Sequence, residues 1–163
     1  MSHDTLTALA ALVGARLKQR GLKLATAESC TGGWVAQAVT AISGSSAWFD
    51  CGFVTYSNEA KQGLLGVREE TLRDFGAASE ETAREMAAGA LARSRAQVTL
   101  AITGIAGPTG GTQDKPVGTV CFAWARKGVD SQSLTRHFSG DRESVRRQSV
   151  ITALQGLLEQ VER

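Results

Sequence analysis

Two rhythms of apolar residues alternate along the chain. Leu6, Leu9, Val13 and Leu17 fall three and four residues apart, which predicts an amphipathic helix over Thr5 to Arg20, capped by Asp4 and stopped by Gly21. Leu22 to Ala27 is a short apolar run and predicts a first strand. Helical spacing resumes from Trp34 to about Ala41, until Ser43-Gly44-Ser45-Ser46 breaks it. Cys51 to Tyr56 predicts a second strand, and Ser57 is placed to cap a helix from Asn58 to Leu65 that Gly66 ends. A further short helix spans Arg68 to Phe75, and Ser79-Glu80-Glu81 opens a longer one to about Arg95. Gln97 to Thr103 reads as a buried strand, and Val117 to Arg126 and Ser131 to Phe138 as two strands turning at Lys127-Gly128. The final helix starts at Gly140-Asp141, with Val145, Ile151, Leu154, Leu157, Leu158 and Val161 on its core side.

Helices and strands interleave early, and a hairpin closes the sheet late. The pattern predicts one α/β domain over residues 1–163 with three layers, helices covering both faces of a mixed, mostly parallel sheet of about five strands. Ligands of such sheets gather at the carboxyl ends of strands. Polar residues stand at three of those exits: Ser29 to Thr31, Tyr56 to Lys61, and Thr103 to Gly111. If the three share one edge of the sheet, they build one pocket.

Composition narrows the partners. The formal charge of +2 gives no support for nucleic-acid binding, and no apolar run approaches the length of a membrane span. Three cysteines without CxxC spacing argue against a disulfide framework and a zinc site, so no metal or cofactor is expected and a reducing cytoplasm fits. A phosphate loop of the GxxxxGK[ST] type, a GxGxxG turn and a GxSxG elbow are all missing. The two histidines, His3 near the terminus and His137 in a strand pattern, make a Ser-His-Asp arrangement a poor fit.

A serine nucleophile without histidine needs another base, and a lysine serves when desolvation leaves its amine neutral. Ser29, in the turn Glu28-Ser29-Cys30-Thr31-Gly32-Gly33, and Lys61, one helical turn beyond Tyr56, are the candidates. Main-chain N–H groups near Thr31, Gly32 and Gly33, or at Thr103 and Gly104, are candidate donors to an oxyanion. Cys30 is a rival nucleophile, because a thiol at a helix N-terminus ionises more readily. Arg142 and Arg146 lie four apart, hence on one helix face, and form a candidate phosphate clamp. Each has a plainer alternative: a capped helix start, a solvated lysine, a buried thiol, an exposed charged face.

Taken together, TAESCTGGWVA, GSSAWFDCGFVTYSNEAK, ITGIAGPTGG with KPVGTV, and FSGDRESVRRQ resemble the CinA carboxy-terminal domain family, from about Leu6 to Leu158. The amino-terminal half of full-length CinA proteins lies outside the resemblance, and its activities are not transferred. The resemblance implies an α/β/α sandwich, a homodimer, and hydrolysis of the carboxamide of nicotinamide mononucleotide to nicotinic acid mononucleotide and ammonia, in pyridine nucleotide salvage to NAD. It further implies Ser29 as nucleophile with Lys61 as base and Tyr56 nearby, and Ser46 as an additional polar group that relays a proton or binds the amide. Arg142 and Arg146 would then hold the 5′-phosphate. Two other readings stay open: a nucleotide-binding module without turnover, and a hydrolase dependent on Cys30.

Overall fold

The computed structural model describes residues 2–162. The elements are α1 (Ser2–Arg20), β1 (Leu24–Glu28), α2 (Trp34–Thr40), a 3₁₀ turn (Ser45–Ala47), β2 (Phe49–Val54), α3 (Asn58–Leu65), α4 (Glu69–Phe75), α5 (Glu80–Ala92), β3 (Val98–Gly104), β4 (Thr119–Arg126), β5 (Val129–His137) and α6 (Arg142–Glu162). Their order follows the pattern of apolar positions, and boundaries move by a few residues. The cap expected at Asp4 concerns a side chain that lies outside the described residues. Ser57 caps α3 by accepting from the Ala60 N–H at 3.0 Å, and Gly66 closes it in the left-handed conformation.

The five strands form one sheet in the order β2-β1-β3-β4-β5. β1 runs parallel to both β2 and β3, whereas β3-β4 and β4-β5 are antiparallel. The sheet is therefore mixed in equal parts rather than mostly parallel. The physical reason lies in the connections. A parallel return needs a crossover, and none follows β3, which is joined to β4 by a helix-free loop and onward to β5 by a tight hairpin.

Alternation along the strands gives the sheet two different faces. Leu24, Leu100, Ile102, Phe122 and Trp124 point to the side covered by α1, α2 and α6. Ala27, Ala101, Ala123 and Ala125 point to the other side, where α5 offers Ala83, Ala87 and Ala90. Small side chains on both surfaces let α5 lie close to the sheet, so the two cores differ in kind.

The junction between β1 and α2 carries the feature on which the site is mounted. Glu28 ends β1 fully buried, and its carboxylate accepts from the Val35 and Ala36 N–H groups at 2.9 and 3.1 Å and from the Thr31 hydroxyl at 2.7 Å. A strand residue thus satisfies the first free N–H groups of the following helix, which has no side-chain cap of its own at Gly33. Replacing Glu28 by Ala leaves those buried donors unpaired. The expected loss is about 3 kcal/mol of stability, read as a lower denaturation midpoint at unchanged slope. Glu28→Gln, which keeps an acceptor oxygen, should lose less, and wild-type stability in Glu28→Ala would refute the role.

Candidate active site

Because β1, β2 and β3 are mutually parallel, their carboxyl ends share one edge of the sheet, with Glu28 beside Val54 and Ile102. The residues that follow them meet there. Ser29 leaves β1 with its N–H donating to the Ile102 carbonyl at 3.0 Å. Thr55 and Tyr56 follow β2, and the loop 105–118 follows β3. The three exits enclose a cavity of about 260 Å³, whose walls include Ser29, Cys30, Tyr56, Lys61, Thr103 and Arg142.

Lys61 reaches this cavity from the inner side of α3 and is 1% exposed. Its Nζ lies 3.0 Å from Ser29 Oγ, 3.1 Å from the Thr55 carbonyl and 3.2 Å from the Tyr56 carbonyl. Among the described residues no carboxylate pairs with it, and none lines the cavity. Burial therefore lowers its pKa from the ordinary 10.5, opposed only by the neighbouring Cys30. Nζ thus donates to three oxygens, and on loss of one proton the same positions leave two N–H donors for the carbonyls and a lone pair for the Ser29 hydroxyl.

Cys30 also touches the cavity, but burial pushes its thiol up to about 12, with smaller lowering effects from its own backbone N–H and from Arg146. A thiol held neutral in this way is a poor nucleophile. The lowering expected from a helix N-terminus is missing because the first N–H groups of α2 are already taken by Glu28.

Thr103 and Gly104 line the cavity, with the Thr103 hydroxyl donating to the carbonyl of Ala77, another residue of its wall, at 2.8 Å. Tyr56 stands at the rim, 61% exposed, and its hydroxyl accepts from Arg142 Nη2 at 3.0 Å. It does not lie between Ser29 and Lys61, which meet directly, so what Tyr56 gives the lysine is its main-chain oxygen. Arg142 also donates from Nη1 to the Gly107 carbonyl at 2.7 Å and thereby bridges two walls.

The other expected residues lie elsewhere. Thr31 is fully buried, its hydroxyl committed to Glu28; the Gly32 N–H donates to the Ser29 carbonyl at 3.0 Å; and Gly33 serves as the turn into α2. None of the three lines the cavity. Ser46 sits exposed in the 3₁₀ turn that precedes β2, at the end of the sheet opposite Ser29, because β2 runs parallel to β1. Arg146 shares a helix face with Arg142 as expected, yet it points to the carbonyls of Cys30 and Thr31 rather than into the cavity. Asn58 is a lining residue that sequence reasoning missed; its position at the first turn of α3 is the available signal.

A larger concavity of about 630 Å³ opens between the α4–α5 junction and the strands β4 and β5. Several of its polar groups are paired: the Thr135 hydroxyl donates to Glu80 at 2.7 Å, as does the neighbouring Ser133 hydroxyl, and Thr119 Oγ1 lies 3.2 Å from His137 Nδ1. The Thr119 hydroxyl donates to the Pro116 carbonyl at 2.6 Å, and among the described residues no hydroxyl of this concavity meets a buried amine, which makes the smaller cavity the candidate site.

Comparison with known proteins places nearly the whole chain. The family model of the CinA C-terminal domain matches residues 6–161. A protein of Escherichia coli K12 named nicotinamide-nucleotide amidohydrolase PncC is 55% identical over 160 residues, covering 98% of this chain and 97% of its own. One of the same name from Pseudomonas putida is 50% identical over 156 residues, covering 96% and 97%. The crystal structure of the competence/damage inducible protein CihA from Agrobacterium tumefaciens superposes with a TM-score of 0.92 at 46% identity, covering 97% and 96% of the two chains. With its motifs, sheet order and near full-length similarity all in agreement, the chain belongs to the CinA C-terminal domain family.

Proposed function

We propose that this protein hydrolyses the carboxamide of nicotinamide mononucleotide, releasing nicotinic acid mononucleotide and ammonia for NAD salvage, with Ser29 as nucleophile and Lys61 as base. The observation that carries the chemistry is the 3.0 Å contact between Ser29 Oγ and a buried amine without an ionic partner. The substrate follows from the names of the relatives, which cover nearly the whole chain.

Neutral Lys61 takes the Ser29 proton as Oγ bonds to the carboxamide carbon. The carbonyl oxygen becomes an oxyanion, held by main-chain N–H groups of the loop after β3. The turn into α2 is a weaker source, because the Gly32 and Trp34 N–H groups are spent on the Ser29 and Thr31 carbonyls. The C–N bond then breaks, and Lys61 returns the proton to the leaving nitrogen, which departs as ammonia. Water adds to the acyl-enzyme, again giving its proton to Lys61, and the acid leaves as Ser29 regains its hydroxyl. No separate relay is needed, since the two groups already touch. Arg142, at the cavity wall near the start of α6, meets the 5′-phosphate with the donors not used on Gly107 and Tyr56.

Ser29→Ala should abolish ammonia release, a fall in kcat of at least about 10³-fold, while calorimetry still detects nucleotide binding. Wild-type turnover in that variant overturns the assignment. A purified wild-type protein that binds the mononucleotide without releasing ammonia is a binding module instead.

The pH dependence has a definite sign. Burial disfavours the charged amine, so Lys61 loses its proton below 10.5 and kcat/KM should rise with pH along one limb whose midpoint lies below that value. Between that midpoint and 10.5 the unfolded chain holds the proton more tightly than the folded one, so stability also rises with pH there. Lys61→Arg, permanently charged, should lack both the limb and the activity; an active Lys61→Arg refutes the base. Arg142→Ala should raise KM about 10- to 100-fold, the equivalent of a lost charged hydrogen bond, with kcat within about threefold. An unchanged KM removes Arg142 from the phosphate site.

A further inference from the structure

Arg146 stands in the last helix, far from Ser29 in sequence, yet its guanidinium lies against the turn that carries the nucleophile. Nε donates to the Cys30 carbonyl at 3.0 Å and Nη2 to the Thr31 carbonyl at 3.1 Å. The same guanidinium sits 5.7 Å from the centre of the Trp34 ring, which fixes its plane. Its helix is anchored on both sides of it by the fully buried Val145 and Ser149. The turn is shaped to receive it: Gly32 has φ +61°, and a Cβ there would come within 3.3 Å of Nη2.

We infer that Arg146 is a positioning residue for the nucleophile, holding the main chain of residues 30 and 31 so that Ser29 Oγ stays in contact with Lys61; the inference rests on the reading of Ser29 as the reacting group. The physical basis is the count of anchors. The Ser29 N–H is tied to Ile102, and the Ser29 carbonyl only to Gly32 inside the same turn. Glu28 grips the turn from the core side through the Thr31 hydroxyl. On the outer side, the carbonyls of Cys30 and Thr31 are bound by one flat, two-pronged cation. A guanidinium spans two acceptors at fixed separation, which an ammonium cannot do. With both prongs on main-chain oxygens and no part of Arg146 in the cavity wall, the side chain is not placed to bind substrate. Small displacements of a nucleophile cost far more in rate than in binding.

The test is the split between kcat and KM. Arg146→Ala should lower kcat at least about tenfold with KM within about twofold, and Arg146→Lys should recover only part of the loss. Arg147→Ala serves as the control. Arg147 packs 5.8 Å from the same Trp34 ring without reaching those carbonyls, so kcat should stay within about twofold of wild type. An Arg146→Ala variant with raised KM and unchanged kcat is that of a substrate ligand and overturns the inference. An equal loss in Arg147→Ala also overturns it, by tracing the effect to Trp34 packing. Crystal structures of the Arg146→Ala and Arg146→Lys variants give a readout independent of turnover. Ser29 Oγ should move beyond 3.5 Å from Lys61 Nζ in the alanine variant, and an unmoved turn refutes the positioning role. A wild-type protein without amidase activity, combined with a displaced turn in the variant, counts against the amidase reading alone.

Discussion

The structure depends on a lysine amine kept out of water with no negative charge beside it. A buried ammonium without a carboxylate partner is costly by several kcal/mol, and the usual remedy is an ion pair. Here Lys61 has instead two main-chain carbonyls and one hydroxyl. That set satisfies a neutral amine as fully as a charged one, because two hydrogens and one lone pair match two oxygens and one O–H. No carboxylate offsets the cost of burying the charged form, and the pKa of the amine is lowered from its ordinary value accordingly. The carbonyls come from Thr55 and Tyr56, which have just left β2, so the tuning is a property of backbone placement and not of any acidic side chain.

The sheet supplies the rest by direction alone. Three parallel strands deliver their ends to one edge, and each contributes one component: the hydroxyl, the carbonyl pair that holds the amine, and the loop rich in main-chain donors. The antiparallel half of the sheet has a different task. It makes a rigid floor, with Phe122 stacked on Trp124 at 6.0 Å between ring centres and edge-on to Phe138, against which α6 packs. That packing in turn fixes Arg142 and Arg146 at the site from behind.

Much of this was legible in the sequence where the cause is local. Ser57 and Gly66 mark the ends of α3 because capping and left-handed closure are decided within a few residues. The convergence of Ser29, Lys61 and Thr103 followed from strand exits in an α/β order. What escaped depended on contacts distant in the chain. The apolar run ends at Ala27, one residue short of the strand's true end at Glu28, whose partners, the Val35 and Ala36 N–H groups, come within reach only when α2 folds back over it. Spacing puts Arg142 and Arg146 on one face but does not say that one faces a cavity and the other a pair of carbonyls in the distant turn after β1. Ser46 was drawn into the site by its place in a polar motif, and the direction of β2 sends it to the far end of the sheet.

Cys30 sits next to the nucleophile, yet the surrounding apolar packing keeps its sulfur protonated far above neutrality. Peroxide and disulfide reagents act on thiolates, and this cavity offers them none. The sulfur in the wall of the pocket is thereby a packing group, and the hydroxyl beside it is the one left free to meet an amine.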